Sequence, residues 1–360
     1  MGDEVIIGYS FWGFLGPGIT DTPDGGRSHR RPLVDALIGR GHRLIFLQAD
    51  RDRLEAGDDL GGRYAFERGL PEIDVLFLEW RWIIPGRNTT SCGTPEHTCD
   101  LHRQHELLDH YTVVRSTPTV IWDKDRQLPT GSPWRHRPGV IVCEAALAPT
   151  AGAHSLLFPV DDALLDSADP RALAAASRPI TLGYVGNQYD RDEEFDTYLA
   201  SAAERFPHRV AGKWPDTGRW PYMTFLGRIP FPQVHELYGG ALATVLLLPQ
   251  RYAAAGQVTQ RIFEAVLAGC LPLAPADIRH VERFVPPWLI VRDGTDVIGK
   301  LARLRAIAGS REHMRLIAEC LHHLELFRLS TQIRALEAVL ADLAGPRARI
   351  EAVSSGREVR

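Results

Sequence analysis

The chain has 360 residues, 44% hydrophobic and 24% charged, with a formal net charge of −4. That composition belongs to a globular protein of about two domains and excludes a collagen-like, disordered or coiled-coil chain. No apolar run reaches the ~18 residues of a membrane span, and the acidic start MGDEVIIGYS does not read as a signal peptide.

The first half alternates strand-like and helix-like segments. Val5–Tyr9 reads as a buried strand, followed by a Gly/Pro-rich loop from Phe11 to Gly26. Leu33, Val34, Leu37 and Ile38 then form a helical stripe that stops near Gly41. Arg43–Leu47, Asp74–Leu78, Pro118–Trp122 and Val140–Val142 repeat the strand pattern. Between them, residues 92–105 (CGTPEHTCDLHRQH) hold Cys92, His97, Cys99, His102 and His105. Two Cys and two His can make a tetrahedral zinc site, but the C-x₂₋₄-C pair of common zinc modules is missing. The segment is therefore expected to be a loop entering a helix over Leu101–Tyr111, with no bound metal.

Residues 158–179, with three prolines, read as a helix-poor linker. The alternation then restarts. Ile180–Val185, His208–Gly212, Thr224–Gly227, Ala243–Leu248, Leu271–Ala274 and Trp288–Val291 are expected strands. Arg261–Ala268 is an expected helix, and long helices fill Val297–Leu343. This predicts an α/β fold of two doubly wound lobes: residues 1–165, then 166–327. A helix over about 328–345 can pack back on the first lobe, and 346–360 is expected to be a disordered tail. Through Asp162 there are 17 basic and 23 acidic residues; the remainder has 24 and 22, so the halves carry −6 and +2. Neither value suits a nucleic-acid partner. Five scattered cysteines (Cys92, Cys99, Cys143, Cys270 and Cys320) argue against a disulfide framework and for the cytoplasm.

Parallel α/β sheets bind ligands beyond the carboxyl ends of their strands. Three loops are candidates there. In the first, Gly25 and Gly26 precede a helix and allow close backbone approach, although a G-x-G-x-x-G fingerprint is absent. In the second, Asn187 and Gln188 follow Gly186 with amide donors, as they would in a plain turn. The third is residues 256–275. Arg261 and Glu264 lie i, i+3 on one helix face. A carboxylate suits a vicinal diol and an arginine suits a phosphate, so together they match one ribose-phosphate unit. The same spacing also describes a surface ion pair worth ~0.3 kcal/mol, and spacing alone does not choose.

The run Arg261-Ile262-Phe263-Glu264-Ala265, followed by Gly269-Cys270-Leu271-Pro272, resembles the sugar-nucleotide signature of GT-B glycosyltransferases. The CgeB-like and family-4-like nucleotide-sugar transferases are the nearest in pattern. PDGGRSHRRPLVDALIGRGHRL resembles their first-domain glycine, histidine and R-G-H pattern, and FLGRIPFPQVHELYGGALATVLLLP their second-domain base-binding segment. The resemblance implies a GT-B fold, two Rossmann-like lobes facing each other across a cleft. It also implies sugar transfer from a UDP- or GDP-linked donor to an acceptor hydroxyl or amine, without cofactor and independently of metal. It places Glu264 on the ribose, Arg228 and Ile229 near the base, Thr259, Gln260 and Arg261 near the pyrophosphate, and Asn187 near the phosphates or donor sugar. The family-4 pattern has a second glutamate eight residues before Glu264. Gly256 stands there, and Gln257 is the expected substitute.

An inverting reaction needs a general base from the first-domain loop. The candidates are Asp21, Asp24 and His29, the last expected to be neutral in a helix's first turn. Asp123-Lys124-Asp125 reads D-x-D and is expected to be a solvated, self-paired turn rather than a Mg²⁺ site. Two other functions fit the architecture: a non-hydrolysing sugar-nucleotide epimerase, and a non-catalytic nucleotide-sugar-binding protein.

Overall fold

Strands buried on both faces need unbroken apolar runs, and the runs in this chain become parallel strands. A computed structural model describes residues 4–18, 26–95 and 97–354, with side chains through Leu343. The first sheet holds β1 (Ile6–Ser10), β2 (Arg43–Phe46), β3 (Ala65–Phe66), β4 (Val75–Glu79), β5 (Thr119–Asp123), β6 (Val140–Glu144) and β7 (His154–Ser155). Its order is β3-β2-β1-β4-β5-β6-β7, every pair parallel. The second sheet holds β8 (Ile180–Val185), β9 (His208–Ala211), β10 (Ala241–Val245), β11 (Leu271–Pro275) and β12 (Ile290–Val291), in the order β12-β11-β10-β8-β9.

Strand order reverses between β1 and β4 in the first sheet and between β8 and β10 in the second. These topological switch points open a crevice where loops diverge to opposite faces. Four loops matter most: those after β1, β4, β8 and β10.

The loop after β1 is held by the short helix Arg51–Ala56. Asp52, buried, accepts the backbone N–H of Leu15 at 3.0 Å and of Gly16 at 2.9 Å. The helix that follows the loop, Gly26–Gly39, buries Leu33, Val34 and Leu37 against the sheet.

Several expectations are corrected. Residues 158–179 are not helix-poor: Asp162–Asp166 and Pro170–Ala175 are short helices, each capped by the preceding aspartate. Thr224–Gly227 is no strand; it makes a single bridge, Val210 to Phe225. The helix expected over Leu101–Tyr111 is Asp100–Leu107, continued by a π-helical turn over Leu108–Val114. β3 and β7 are too short to give a sequence signal.

The last helix, Leu329–Ser354, returns to the first lobe. Glu337 pairs with Arg40 at 2.5 Å, and Gln332 accepts the N–H of Leu157 at 2.8 Å. Ile333, Leu336, Val339 and Leu343 are its buried stripe. The helix continues past 346, where a tail was expected. No described helix is long and apolar enough to cross a membrane.

Candidate functional site

Glu79, at the carboxyl end of β4, is the ionic hub of the first lobe. It is fully buried and receives Arg30 through a fork, Nε to Oε1 and Nη2 to Oε2, both at 2.8 Å. Lys124 Nζ lies 2.6 Å from Oε2, and the Tyr9 hydroxyl donates to Oε1 at 2.6 Å. Burial alone would raise its pKa, but Arg30 and then Lys124 hold it well below the usual carboxylate range. A β-carbon on Gly26 would come within 2.5 Å of the Arg30 guanidinium, so the small residue there makes room for this ion pair.

The same region reaches across to the second lobe. Lys124 offers its carbonyl to Gln257 Nε2 at 2.5 Å, and Asp125 accepts the Tyr252 hydroxyl at 2.7 Å. Asp123 is buried and accepts the N–H groups of Gln127 and Leu128, both at 2.9 Å. The D-x-D segment is therefore neither solvated nor self-paired, because each of its side chains is engaged elsewhere. A backbone seam runs alongside: Leu147 N–H donates to Gly256 O and Ala148 N–H to Ala255 O, both at 3.0 Å.

Gly256 explains the missing second glutamate. Its φ is +61°, and a β-carbon there would lie 2.6 Å from the Arg279 carbonyl. Gly256→Glu is expected to cost about 1–3 kcal/mol through backbone strain and this clash. Chemical denaturation checks it; a variant as stable as the parent would show that the backbone is not so constrained. Gln257, the expected substitute, is spent partly on the Lys124 carbonyl. Its buried Oε1 has no partner among the described residues.

The second lobe assembles the rest of the crevice. Glu264 projects from the helix Arg261–Leu267 and accepts a short hydrogen bond from the Ser28 hydroxyl of the first lobe. Glu264 retains some accessible surface. Its carboxyl nevertheless lies deep enough that burial raises its pKa to about 7, against the opposing effects of Ser28 and Arg261. Arg261 stands 5.9 Å from the Tyr184 ring centre. Thr259 and Gln260 keep accessible surface at the entry to this helix.

Arg191 is the residue the sequence did not single out. It is buried, donates to the Asn187 carbonyl at 2.6 Å, and leaves Nε without a partner. No described carboxylate pairs with it, and burial lowers its pKa, with Arg261 and Arg251 among its charged neighbours. The hydroxyls of Tyr184 and Tyr238 are buried and also without partners among the described residues. Glu264 and Arg261 both act on Tyr238. Unsatisfied buried polar atoms are few in a folded protein, so several around one crevice mark a place for a polar ligand.

Other expected residues are placed differently. Asn187 Oδ1 accepts the N–H of Lys213 at 2.8 Å. The Gln188 side chain clasps Asp216 through N–H at 3.0 Å and carbonyl at 2.8 Å. Both side chains brace the 213–216 loop: Gln188 with its donor as well as its oxygen, Asn187 through its oxygen. Arg228 is exposed, and Ile229 packs beside Val185, Ala211 and Leu237. His29 is buried, with Phe158 at 4.4 Å and Trp122 at 5.6 Å between ring centres. It is part of an aromatic layer, which sits poorly with a base that must meet an acceptor. Asp21, Asp24 and Gly25 lie outside the described residues. Between the lobes, buried Arg27 stacks over Phe14 at 5.5 Å and over Phe231 at 5.3 Å. A cavity of about 670 Å³ lined by Trp288, Leu316 and His322, among others, lies elsewhere on the second lobe.

Among the described residues, Cys92, His97, Cys99 and His102 also converge. Their ligand atoms all lie within 4.8 Å of one another, in the loop after β4. The segment was expected to be only a lead into a helix.

Residues 193–339 match the family model described as "Glycosyl transferase-like". No curated protein matches the chain. Solved structures do. One is the DNA-modifying enzyme β-glucosyltransferase, studied with and without uridine diphosphoglucose. It has 11% identity and a TM-score of 0.63, over 95% of this chain and 99% of that one. AviGT4, a glycosyltransferase of avilamycin A biosynthesis, has 15% identity and a TM-score of 0.57, over 95% and 98%. Anabaena HepE in complex with UDP-glucose has 10% identity and a TM-score of 0.55, over 94% and 100%. At these identities the likeness is one of fold. The chain has the GT-B architecture, and residues 193–339 of its second lobe are similar to the glycosyl transferase-like family.

Proposed function

We propose that this GT-B chain is a glycosyltransferase that moves a sugar from a uridine diphosphate donor to an acceptor held by the first lobe. The observation that carries the donor half is Arg191, a buried guanidinium with no described carboxylate, which has Arg261 among its charged neighbours; Arg261 stands one helix turn from Glu264. A buried cation without a protein anion is costly, and a diphosphate supplies the missing charge. Glu264 accepts two ribose hydroxyls in place of Ser28, with Tyr184 and Tyr238 as further hydrogen-bonding groups. Uridine is favoured because the β-glucosyltransferase and HepE structures are both described with UDP-glucose.

Transfer joins the acceptor's oxygen or nitrogen, which gives up its proton to solvent, to the anomeric carbon; the bond from that carbon to the diphosphate oxygen breaks and leaves negative charge on that oxygen. Arg191 and Arg261, fixed before the reaction, would stabilise this charge without reorganisation. The acceptor class is not a polyanion in this proposal, since the first half of the chain carries −6, from 17 basic and 23 acidic residues.

The test is a thermal-shift screen with UDP, GDP, dTDP and ADP and their sugars, followed by detection of released nucleotide with and without EDTA. UDP and a UDP-sugar are expected to stabilise most; no shift with any nucleotide would refute the donor site. Arg191→Met is expected to weaken UDP binding at least ~10-fold and to leave uridine binding unchanged. Its folded state should be no less stable, because an unpaired buried charge is replaced by an apolar chain. Arg261→Ala should show the same preference for diphosphate over nucleoside. Equal losses for UDP and uridine, read by calorimetry, would remove both arginines from the phosphate role.

A further inference from the structure

We propose that the loop after β4 binds a structural zinc ion through Cys92, His97, Cys99 and His102. The proposal is independent of the nucleotide site. Two thiolates and two imidazoles are the donor set of a closed tetrahedral zinc site, and all four protein ligands are present, leaving no open coordination position. Their donor atoms fall within 4.8 Å of one another, and Cys92 Sγ is already 3.2 Å from His102 Nδ1. A small contraction brings these atoms to the edges of a zinc tetrahedron.

Two further features support an ion rather than a chance cluster. His97 Nδ1 is bonded to the Thr90 hydroxyl at 3.0 Å, while its buried Nε2 has no partner among the described residues. A hydrogen bond on one ring nitrogen orients the other for metal, the usual arrangement around a metal-bound histidine. The loop is also prefolded: Gly93 turns at φ +87°, His97 N–H donates to Thr94 O at 3.0 Å, and Thr98 N–H to Arg87 O at 3.0 Å. Cys92, Cys99 and His102 are exposed, so the ion has a direct path in and chelators a path out.

Binding replaces the two thiol protons by Zn²⁺. The two thiolates balance the ion, so the site adds no net charge apart from the protons released. No oxidant or reductant is involved. The consequence is mechanical. This loop follows the strand that carries Glu79 and lies at a topological switch point. Zinc would fix the first-lobe side of the crevice where an acceptor must lie.

The experiment uses the full untagged chain, expressed with added zinc and purified without chelator. Elemental analysis is expected to find about one zinc per chain. The Cys92→Ser/Cys99→Ser double variant should lose it, and His105→Gln, outside the cluster, should keep it. Exchange into Co²⁺ should give the visible bands and thiolate charge transfer of a tetrahedral two-sulfur site. Chelation should speed tryptic cleavage at Arg87 in the parent protein and leave the double variant unchanged. Zinc retained by the double variant would overturn the proposal. So would a metal-free parent chain, or a Cys92–Cys99 disulfide in protein purified under reducing conditions.

Discussion

Glu79→Ala is expected to destabilise the protein by about 3–5 kcal/mol, a large part of a normal folding free energy. The variant leaves Arg30 fully buried without its carboxylate and removes the partners of Lys124 and Tyr9. Stranding a buried charge is what makes the loss so large; a surface pair would cost about 1 kcal/mol or less. Chemical denaturation at neutral pH measures it. The pH dependence offers a second readout. Because the folded-state pKa of Glu79 lies well below its unfolded value, its stabilisation is complete above that unfolded value and fades as pH falls through the folded one. The variant should therefore lose less stability on acidification than the parent. A change under 1 kcal/mol would mean that Arg30 and Lys124 find other partners at little cost.

Glu264→Gln is expected to weaken UDP binding about 100-fold, the ~3 kcal/mol that charged hydrogen bonds to a diol can supply. Without ligand its effect has the opposite sign. Burial raises this carboxyl to about 7. Its favourable contribution is present when protonated and is lost as pH rises from the unfolded value toward 7 and beyond. The neutral amide does not titrate. Thus variant and parent should melt alike near pH 5, and the variant should melt higher near pH 8. The same comparison separates binding: the gain in parent affinity between pH 6 and 8 beyond that of the variant reports ionisation of Glu264. Equal UDP affinity in both proteins would take Glu264 out of the ribose site.

Most strands were legible because parallel strands buried on both faces are written as unbroken apolar runs, such as Leu271–Ala274. The short edges β3 and β7 carry no such run, and Phe225 looks strand-like although it makes only one bridge. In the site, Arg261 and Glu264 were visible because they share one helix face and one motif. Arg191 was not, since Asp190, Asp192 and Glu193 beside it look like a solvated charged segment. Ser28 was hidden for another reason: its partner, Glu264, is 236 residues away. The Cys/His cluster shows the same limit. Spacing rules describe short modules, whereas Cys92 to His102 close around one point through turns that spacing does not encode.

The two backbone bonds joining Leu147 and Ala148 to Gly256 and Ala255 have a kinematic consequence. Any motion that preserves them must turn one lobe about that line, as a book opens on its spine. Points near the line, such as the contact between Lys124 and Gln257, would then move little. Such a turn would strain the other contacts between the lobes, the bond between Ser28 and Glu264 among them.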